Sequence, residues 1–590
     1  MRGLSCERAT SCCHEATEVK AIDVTADSNS EMMVTEIIHD APGLRGHEID
    51  KIYEIEIAEK EDGQDFFPLA ENGAEEPDEE DVRIEDDAAE KHRSSQQLSL
   101  YIQSDLLNAV DLDHCLAGCG KHWHGTLGGL QSGHFATYRN YVKKVNKYDE
   151  FISHDWATDG RLKFLCLCLH YNKVMATFAA VIVGAIFGAL ELFYPELRRM
   201  ASLGNTIGGV RYTVDSVGYF GLEMGLFAYC AVFFFGQRIR KLLFRPRSVF
   251  MDKLCIDQED AGRKSQGILG LGGFLQVSDR LLVLWSPRYF TRLWCVFELA
   301  AWHTIGKPVE DIVLAPVAQS AFIILLMVGM SFLMVVLVWI ARLSNFEYAA
   351  AVAIAVGVVI PLPFHLMRRF SRDLRRIPEQ VKSFDFEDAS CFCCSVNHTL
   401  PGTDEQVTCD RTLVAHQVGE WFKGDESGRS ASDCFNDFVR TTLGRHIQKQ
   451  MVGGKGKYSL SCMACLPGVL FLTDRFHLIY SVDRLDHQLR LIVHYLAVAF
   501  FVFPGMVRLS LHIADRVDTY FTRRESRVHN LMITMVASAG VSFGILSSMS
   551  CLSYSVQIES PWPQIASVIV ALMVVAGLYR QDIRSVVHRD

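Results

Sequence analysis

The chain has 590 residues, of which 49% are hydrophobic and only 22% charged, with a mean hydropathy of +0.14. These values exclude a wholly soluble protein and a wholly disordered one, and the length excludes a small disulfide scaffold. The net charge of −11 divides unevenly: residues 1–90 hold 27 acidic and 7 basic residues, leaving 51 Lys and Arg against 42 Asp and Glu beyond them. That remainder is mildly basic, which suits anionic lipid headgroups, and it carries no stripe of the kind that binds nucleic acid. Eighteen cysteines, several inside apolar runs, read as reduced thiols in so large a chain.

Residues 1–95 are dense in Glu and Asp and are predicted to be an acidic disordered tail, because they cannot bury enough apolar surface to offset ordering. Within the tail, residues 52–57 alternate apolar and acidic side chains and form a candidate strand on docking. The first thirteen residues hold no apolar stretch of signal-peptide length, so internal helices are expected to direct membrane insertion. Residues 96–172 regain Leu, Tyr and Trp and form a cytoplasmic lead-in that ends with a first strand. A membrane hairpin is predicted over 173–236, with spans at 174–190 and 217–236. An α/β segment follows over 237–317, then a second hairpin over 318–367 with spans at 321–341 and 348–367. Residues 368–457 read as a cytoplasmic Cys-containing loop. The C-terminal bundle, 458–590, offers spans at 491–507, 531–556 and 562–579, and a shorter candidate at 458–473. The fold class is thus an α-helical polytopic membrane protein of seven or eight spans carrying a small cytoplasmic α/β parallel sheet. Arg508, Arg516, Arg523, Arg524 and Arg527, together with Arg580, Arg584 and Arg589, favour eight spans, or seven and a re-entrant segment, with both termini cytoplasmic.

The chemistry concentrates beside the first hairpin. Tyr148-Asp-Glu-Phe-Ile-Ser-His-Asp-Trp156 is a strand pattern ending in polar residues, and Ser248-Val-Phe-Met-Asp252 is a second. A Gly-rich helix is predicted over 266–277, a third strand over 279–286, a helix after Arg288 and a fourth strand over 311–317. Strands alternating with helices imply a parallel sheet whose ligand crevice lies beyond the strands' carboxyl ends.

In this order, Asp149-Glu-Phe-Ile-Ser-His154, Val249-Phe-Met-Asp252, Leu282-Val-Leu-Trp-Ser-Pro-Arg-Tyr-Phe290 and Arg292-Leu-Trp-Cys-Val-Phe-Glu-Leu299 resemble Toll/interleukin-receptor (TIR) domains over about 80 residues. The last stretch holds a Trp-x-x-x-Glu spacing that, in members of the family that cleave NAD, carries the catalytic Glu. The resemblance implies that Glu298 is catalytic and that Ser153, His154, Asp252 and Trp294 line the binding crevice. It also implies NAD as a substrate, no tightly bound cofactor, no metal at the site, and a homo-oligomer assembled through this module. Breaking the nicotinamide–ribose bond builds positive charge on the sugar, which a fixed carboxylate stabilises. The other expectation is a non-catalytic interaction scaffold, in which Trp294 fills the core and Glu298 pairs with a neighbour such as Arg292. A transporter or channel with a regulatory α/β module is a third. This sequence departs from the family in placing two membrane spans between the first two strands, and in lacking the usual glycine-bearing loop after Asp252 and an evident fifth strand.

Further constellations are less directed. His114-Cys-Leu-Ala-Gly-Cys-Gly-Lys-His-Trp-His124 has soft ligands at close spacing, though no distant second pair to complete a zinc finger. Cys391-Phe-Cys-Cys394 is a candidate acylation site or a set of plain thiols. Glu223 and His494 are ionisable residues within predicted spans. The sequon at Asn397 falls on the predicted cytoplasmic side, where it goes unused.

Overall fold

The structure, a computed structural model, describes residues 98–123, 141–197, 199–340, 359–399, 409–423, 428–451, 465–521 and 527–587, together with 354, 357 and 406. The acidic segment predicted as disordered therefore lies outside the described residues, as does nearly all of 341–358. The described chain is mostly helical and carries a small mixed sheet.

The lead-in supplies two short strands, β1 (Asn108–Asp111) and β2 (Val142–Lys144), before β3 (Glu150–His154). Helix α1 (Gly160–Phe193) starts where the Asp159 carboxylate accepts the N–H groups of Arg161 and Leu162, at 2.7 and 3.3 Å. Its 34 residues extend about 51 Å, well beyond the ~30 Å of a bilayer core. An antiparallel hairpin, β4 (Arg199–Ile207) and β5 (Val210–Val217), turns through Gly208 and Gly209 at φ of 52° and 80°. Such a two-residue turn with both φ positive suits glycine because neither residue carries a Cβ. Helix α2 (Phe220–Leu243) then returns to β6 (Ser248–Phe250).

Small residues decide how α1 and α2 meet. Ala176, Ala180, Gly184 and Gly188 recur every fourth position and are all buried, whereas Val174, Phe178, Ile182 and Ile186 on the other face are more than half exposed. A Cβ on Gly221 of α2 would lie 2.8 Å from the Gly184 carbonyl, so the backbones are in direct contact. This is the small-xxx-small contact that packs helices in lipid, with large apolar side chains left facing outward. Asn172 joins the pair by donating to the Phe233 carbonyl (2.8 Å) and the Gln237 side chain (2.6 Å). Helix α2 begins where buried carboxylates meet its free N–H groups: Glu191 accepts from Tyr219 and Phe220, and Asp474 from Leu222. Glu223 lies in that first turn, at the helix end and not mid-span.

After β6 come α3 (Ala261–Leu269), α4 (Leu271–Gln276), β7 (Leu281–Trp285), α5 (Leu293–Thr304), β8 (Ile312–Pro316) and α6 (Val317–Ile340). Strand order is β2-β1-β6-β3-β7-β8, parallel from β6 through β8 and antiparallel at β1 and β2. The sheet is mixed and not all-parallel, because residues 108–111 and 142–144 of the lead-in add two edge strands. Every residue of β7 is buried, as expected of a central parallel strand covered on both faces.

Helix α7 (Pro361–Lys382) is amphipathic, and its Arg368, Arg372 and Arg375 surround the buried Asp518. Helix α8 (Asp410–Trp421) packs on α5. Helix α9 (Leu466–Thr473) has only eight residues, about 12 Å, too short to cross a bilayer by itself; residues 458–464 of that candidate span lie outside the described residues. Helices α10 (Leu485–Ala497) and α11 (Phe503–Phe521) run on through a π-turn at Val498–Val502. Arg508 and Arg516 are thus helical, beyond the end expected of the span at 491–507. Helices α12 (Arg527–Gln557) and α13 (Trp562–Val587) complete the chain. Among the described residues three helices are long and apolar enough to cross a membrane: Gly160–Phe193, Phe220–Leu243 and Leu485–Phe521.

Candidate functional site

Order β6-β3-β7-β8 is second-first-third-fourth, so the topological switch point falls between β3 and β7. A doubly wound sheet opens its ligand crevice there, outside the carboxyl ends of those strands. Ser153 and His154 close β3, Ser286 follows β7, and α5 carries Glu298 back across the gap.

Helix α5 is buried nearly all round, with Leu293, Cys295, Val296, Phe297, Leu299, Ala300, Ala301 and Trp302 in the core. Glu298 is part-buried among them. Ser153 Oγ donates to Glu298 Oε2, and the Tyr289 hydroxyl, 2.6 Å from the same Oγ, completes the chain. Burial is the largest influence on the Glu298 carboxyl and pushes it up to about 8; the Ser153 bond opposes the shift and the nearby Asp252 charge adds to it. Among the described residues no Lys or Arg forms an ion pair with Glu298. Arg292 turns instead to Asp155, whose fully buried carboxylate also takes Arg288, at 3.6 and 3.5 Å. Asp155 further accepts from Thr158, Ser286 and the Ala157 N–H, which knits the loop after β3 to the end of β7. The bland expectation of a Glu298–Arg292 pair is therefore not met.

Asp252 begins the one-turn helix after β6, and its Oδ1 accepts the Lys253 N–H at 2.7 Å. Burial again raises its carboxyl above the ordinary range. His154 packs edge-on to Trp123 and stacks on Trp156, and burial with nearby Lys163 and Lys253 holds its imidazole neutral. Ser153, Asp252 and Glu298 thus share one electrostatic neighbourhood, with His154 at its rim. Trp294 points elsewhere: its indole N–H donates to Asp410 of α8 at 3.1 Å, and its ring packs on Phe297.

Sequence reasoning missed Tyr289 and Asp155, although both stand inside the quoted motifs. It also missed a cluster on the far side of α5, where Cys393, Cys394, His398 and Cys409 bring their ligand atoms within 4.8 Å of one another. The spacing Cys-Cys-x-x-x-His, with a further Cys eleven residues on, was the available signal. His124 lies outside the described residues, and the described part of that stretch, His114–Trp123, brings no such cysteine–histidine set together. Cys115 Sγ faces Met251, and Lys241 already bridges Asp111 and Asp113 beside His114.

No protein-family model matches the chain, and neither a curated protein nor a solved structure matches it.

Proposed function

We propose that this is a membrane-anchored signalling protein whose TIR-like sheet hydrolyses NAD. The observation that carries the reading is the Tyr289–Ser153–Glu298 chain at the switch point of a second-first-third-fourth parallel sheet. In the reaction the bond from nicotinamide nitrogen to ribose C1′ breaks, and its electron pair leaves on the nitrogen. Water bonds to C1′ and releases a proton, giving nicotinamide and ADP-ribose. Glu298 supplies negative charge as the sugar becomes cationic, and Ser153 and Tyr289 fix where that charge sits. Asp252 and His154 border the same space, and Trp294 holds α5 in place.

Seven or eight spans, cytoplasmic termini and a cytoplasmic sheet complete the proposal, with homo-oligomers forming through the TIR-like module in the plane of the bilayer. The lipid-facing stripe of α1 and the Arg-rich helix ends support this arrangement. The direct test is nicotinamide release from NAD by the purified full-length protein. Absence of release at any protein concentration favours the second reading, an interaction module, which the closure of Glu298 by Ser153 and Tyr289 also supports. Labelling of an introduced Arg516→Cys in sealed vesicles tests orientation. Reaction only with a reagent confined to the outside would overturn it.

A further inference from the structure

We propose that Cys393, Cys394, His398 and Cys409 form a tetrahedral zinc site that ties residues 390–399 and 409–410 to the helix carrying Glu298. Three thiols and one imidazole, each offering a single atom, converge within 4.8 Å of one another. The Cys394 and Cys409 sulfurs are 3.8 Å apart, and Cys394 Sγ lies 3.5 Å from His398 Nε2. A tetrahedron built with Zn–S near 2.3 Å and Zn–N near 2.05 Å has edges of about 3.8 Å (S to S) and about 3.6 Å (S to N). Both separations therefore match a four-coordinate ion, while 3.8 Å is far too long for a disulfide.

The backbone is arranged for the same purpose. Asn397 and His398 both adopt left-handed conformations, at φ of 54° and 60°, which turns the chain back toward Cys394 after the one-turn helix Phe392–Ser395. Two successive non-glycine residues in that region carry a conformational cost that a bound metal offsets. The His398 N–H donates to the Cys393 carbonyl at 2.7 Å, and the Asp410 N–H donates to Cys393 Sγ at 3.2 Å. N–H donation to a ligand sulfur is the outer-shell support that thiolates bound to a metal require. Soft sulfur with one imidazole selects zinc over magnesium or calcium, which prefer oxygen. Cys391 lies 3.3 Å from Cys393 but stands outside the set.

The position gives the site its consequence. Asp410, adjacent to Cys409, accepts the indole N–H of Trp294, and the Ser390 carbonyl caps α5 by accepting the Leu293 N–H at 3.0 Å. The metal thus fixes both contacts that aim the first turn of α5. It is a positioning site and touches no substrate.

Metal analysis of the full-length protein, purified in detergent without chelator, should find about one zinc per chain. Cys394→Ser and Cys409→Ser should each lower this to near zero, whereas Cys391→Ser should retain it. Cobalt exchanged into the site should show visible d–d bands and a near-ultraviolet thiolate charge-transfer band. Should the serine variants fail to fold, His398→Cys keeps the test open. A four-cysteine set still holds the metal and strengthens the charge-transfer band. Zinc absent from folded protein, or lost in Cys391→Ser, overturns the assignment.

Discussion

The raised carboxyl of Glu298 makes a prediction with a sign and a size. Replacing Glu298 by Gln keeps the shape and removes the ionisation. With the carboxyl pushed up to about 8, only about one-tenth of the wild-type protein carries charge there at pH 7, and about nine-tenths at pH 9. If the anion is what accelerates NAD cleavage, wild-type turnover should rise roughly tenfold between those pH values, with unit slope below pH 8. Glu298→Gln should be slower by ~10²–10³ at pH 9, and the gap should narrow as pH falls and the wild-type group becomes neutral too. Stability moves the opposite way. Because the folded carboxyl binds its proton more tightly than the unfolded one, its contribution is complete below about pH 4.5 and is lost as pH rises through 8. The slope is about 1.4 kcal/mol per pH unit inside that window. The melting temperature of wild type should therefore fall relative to Glu298→Gln between about pH 5 and pH 8. Parallel pH profiles for the two proteins, in either activity or melting, would refute the reasoning.

Three other outcomes follow from the packing. Asp518→Asn leaves Arg368, Arg372 and Arg375 without their shared anion, so the detergent-solubilised protein should lose about 3–5 kcal/mol; an unchanged thermal unfolding curve would contradict this. Gly188→Val places a Cβ about 2.5 Å from the Thr473 carbonyl, which cannot yield without moving α9; a loss of about 1–3 kcal/mol should appear in the same assay. Trp294→Phe retains an aromatic ring against Phe297 and removes the N–H to Asp410 together with part of the indole ring. It should cost about 1.5–3 kcal/mol while leaving the pH dependence of turnover in place, and a shifted profile would put Trp294 in contact with the chemistry.

The four parallel strands were legible because each is an apolar run bounded by polar residues, and Ser153 and Asp252 were legible as the polar ends of two of them, whereas Glu298, inside α5, was singled out only by the Trp-x-x-x-Glu resemblance. Strands β1 and β2 were not legible. Asn-Ala-Val-Asp and Val-Lys-Lys are short and polar; β1 pairs with the edge of β6 at Ser248 and Val249, and β2 pairs in turn with β1. Helix ends near charge were misjudged for a related reason. Arg161, Lys163 and His170 interrupt the apolar pattern of α1, and Arg508 and Arg516 that of α11, yet backbone hydrogen bonding continues through them. A membrane span was read as ending where its apolar residues end, but a helix ends only where its backbone groups find other partners. The direction of Trp294 could not be read at all, since its partner lies 116 positions away.

The two long apolar helices inserted between β3 and β6 need not disturb the sheet. Parallel pairing of β3 with β6 requires a crossover in any case, and here residues 155–247 supply it. The first turns of α1 do what a crossover helix does, burying Phe164, Leu167 and Cys168 in the core that also holds Phe151 and Val283. Only beyond them does the helix change to small buried residues on one side and exposed apolar residues on the other. Closing a connection of 93 residues instead of about 30 costs only about 1 kcal/mol more in chain entropy, because the penalty grows with the logarithm of length. That cost is smaller than the gain from fixing both ends of the loop, since α1 and α2 hold each other through Gly184, Gly221 and Asn172 and return the chain beside its point of departure. The helical hairpin of α1 and α2 is thus a long crossover with a rigid middle, and the register of β3 against β6 and β7 is set by the sheet itself.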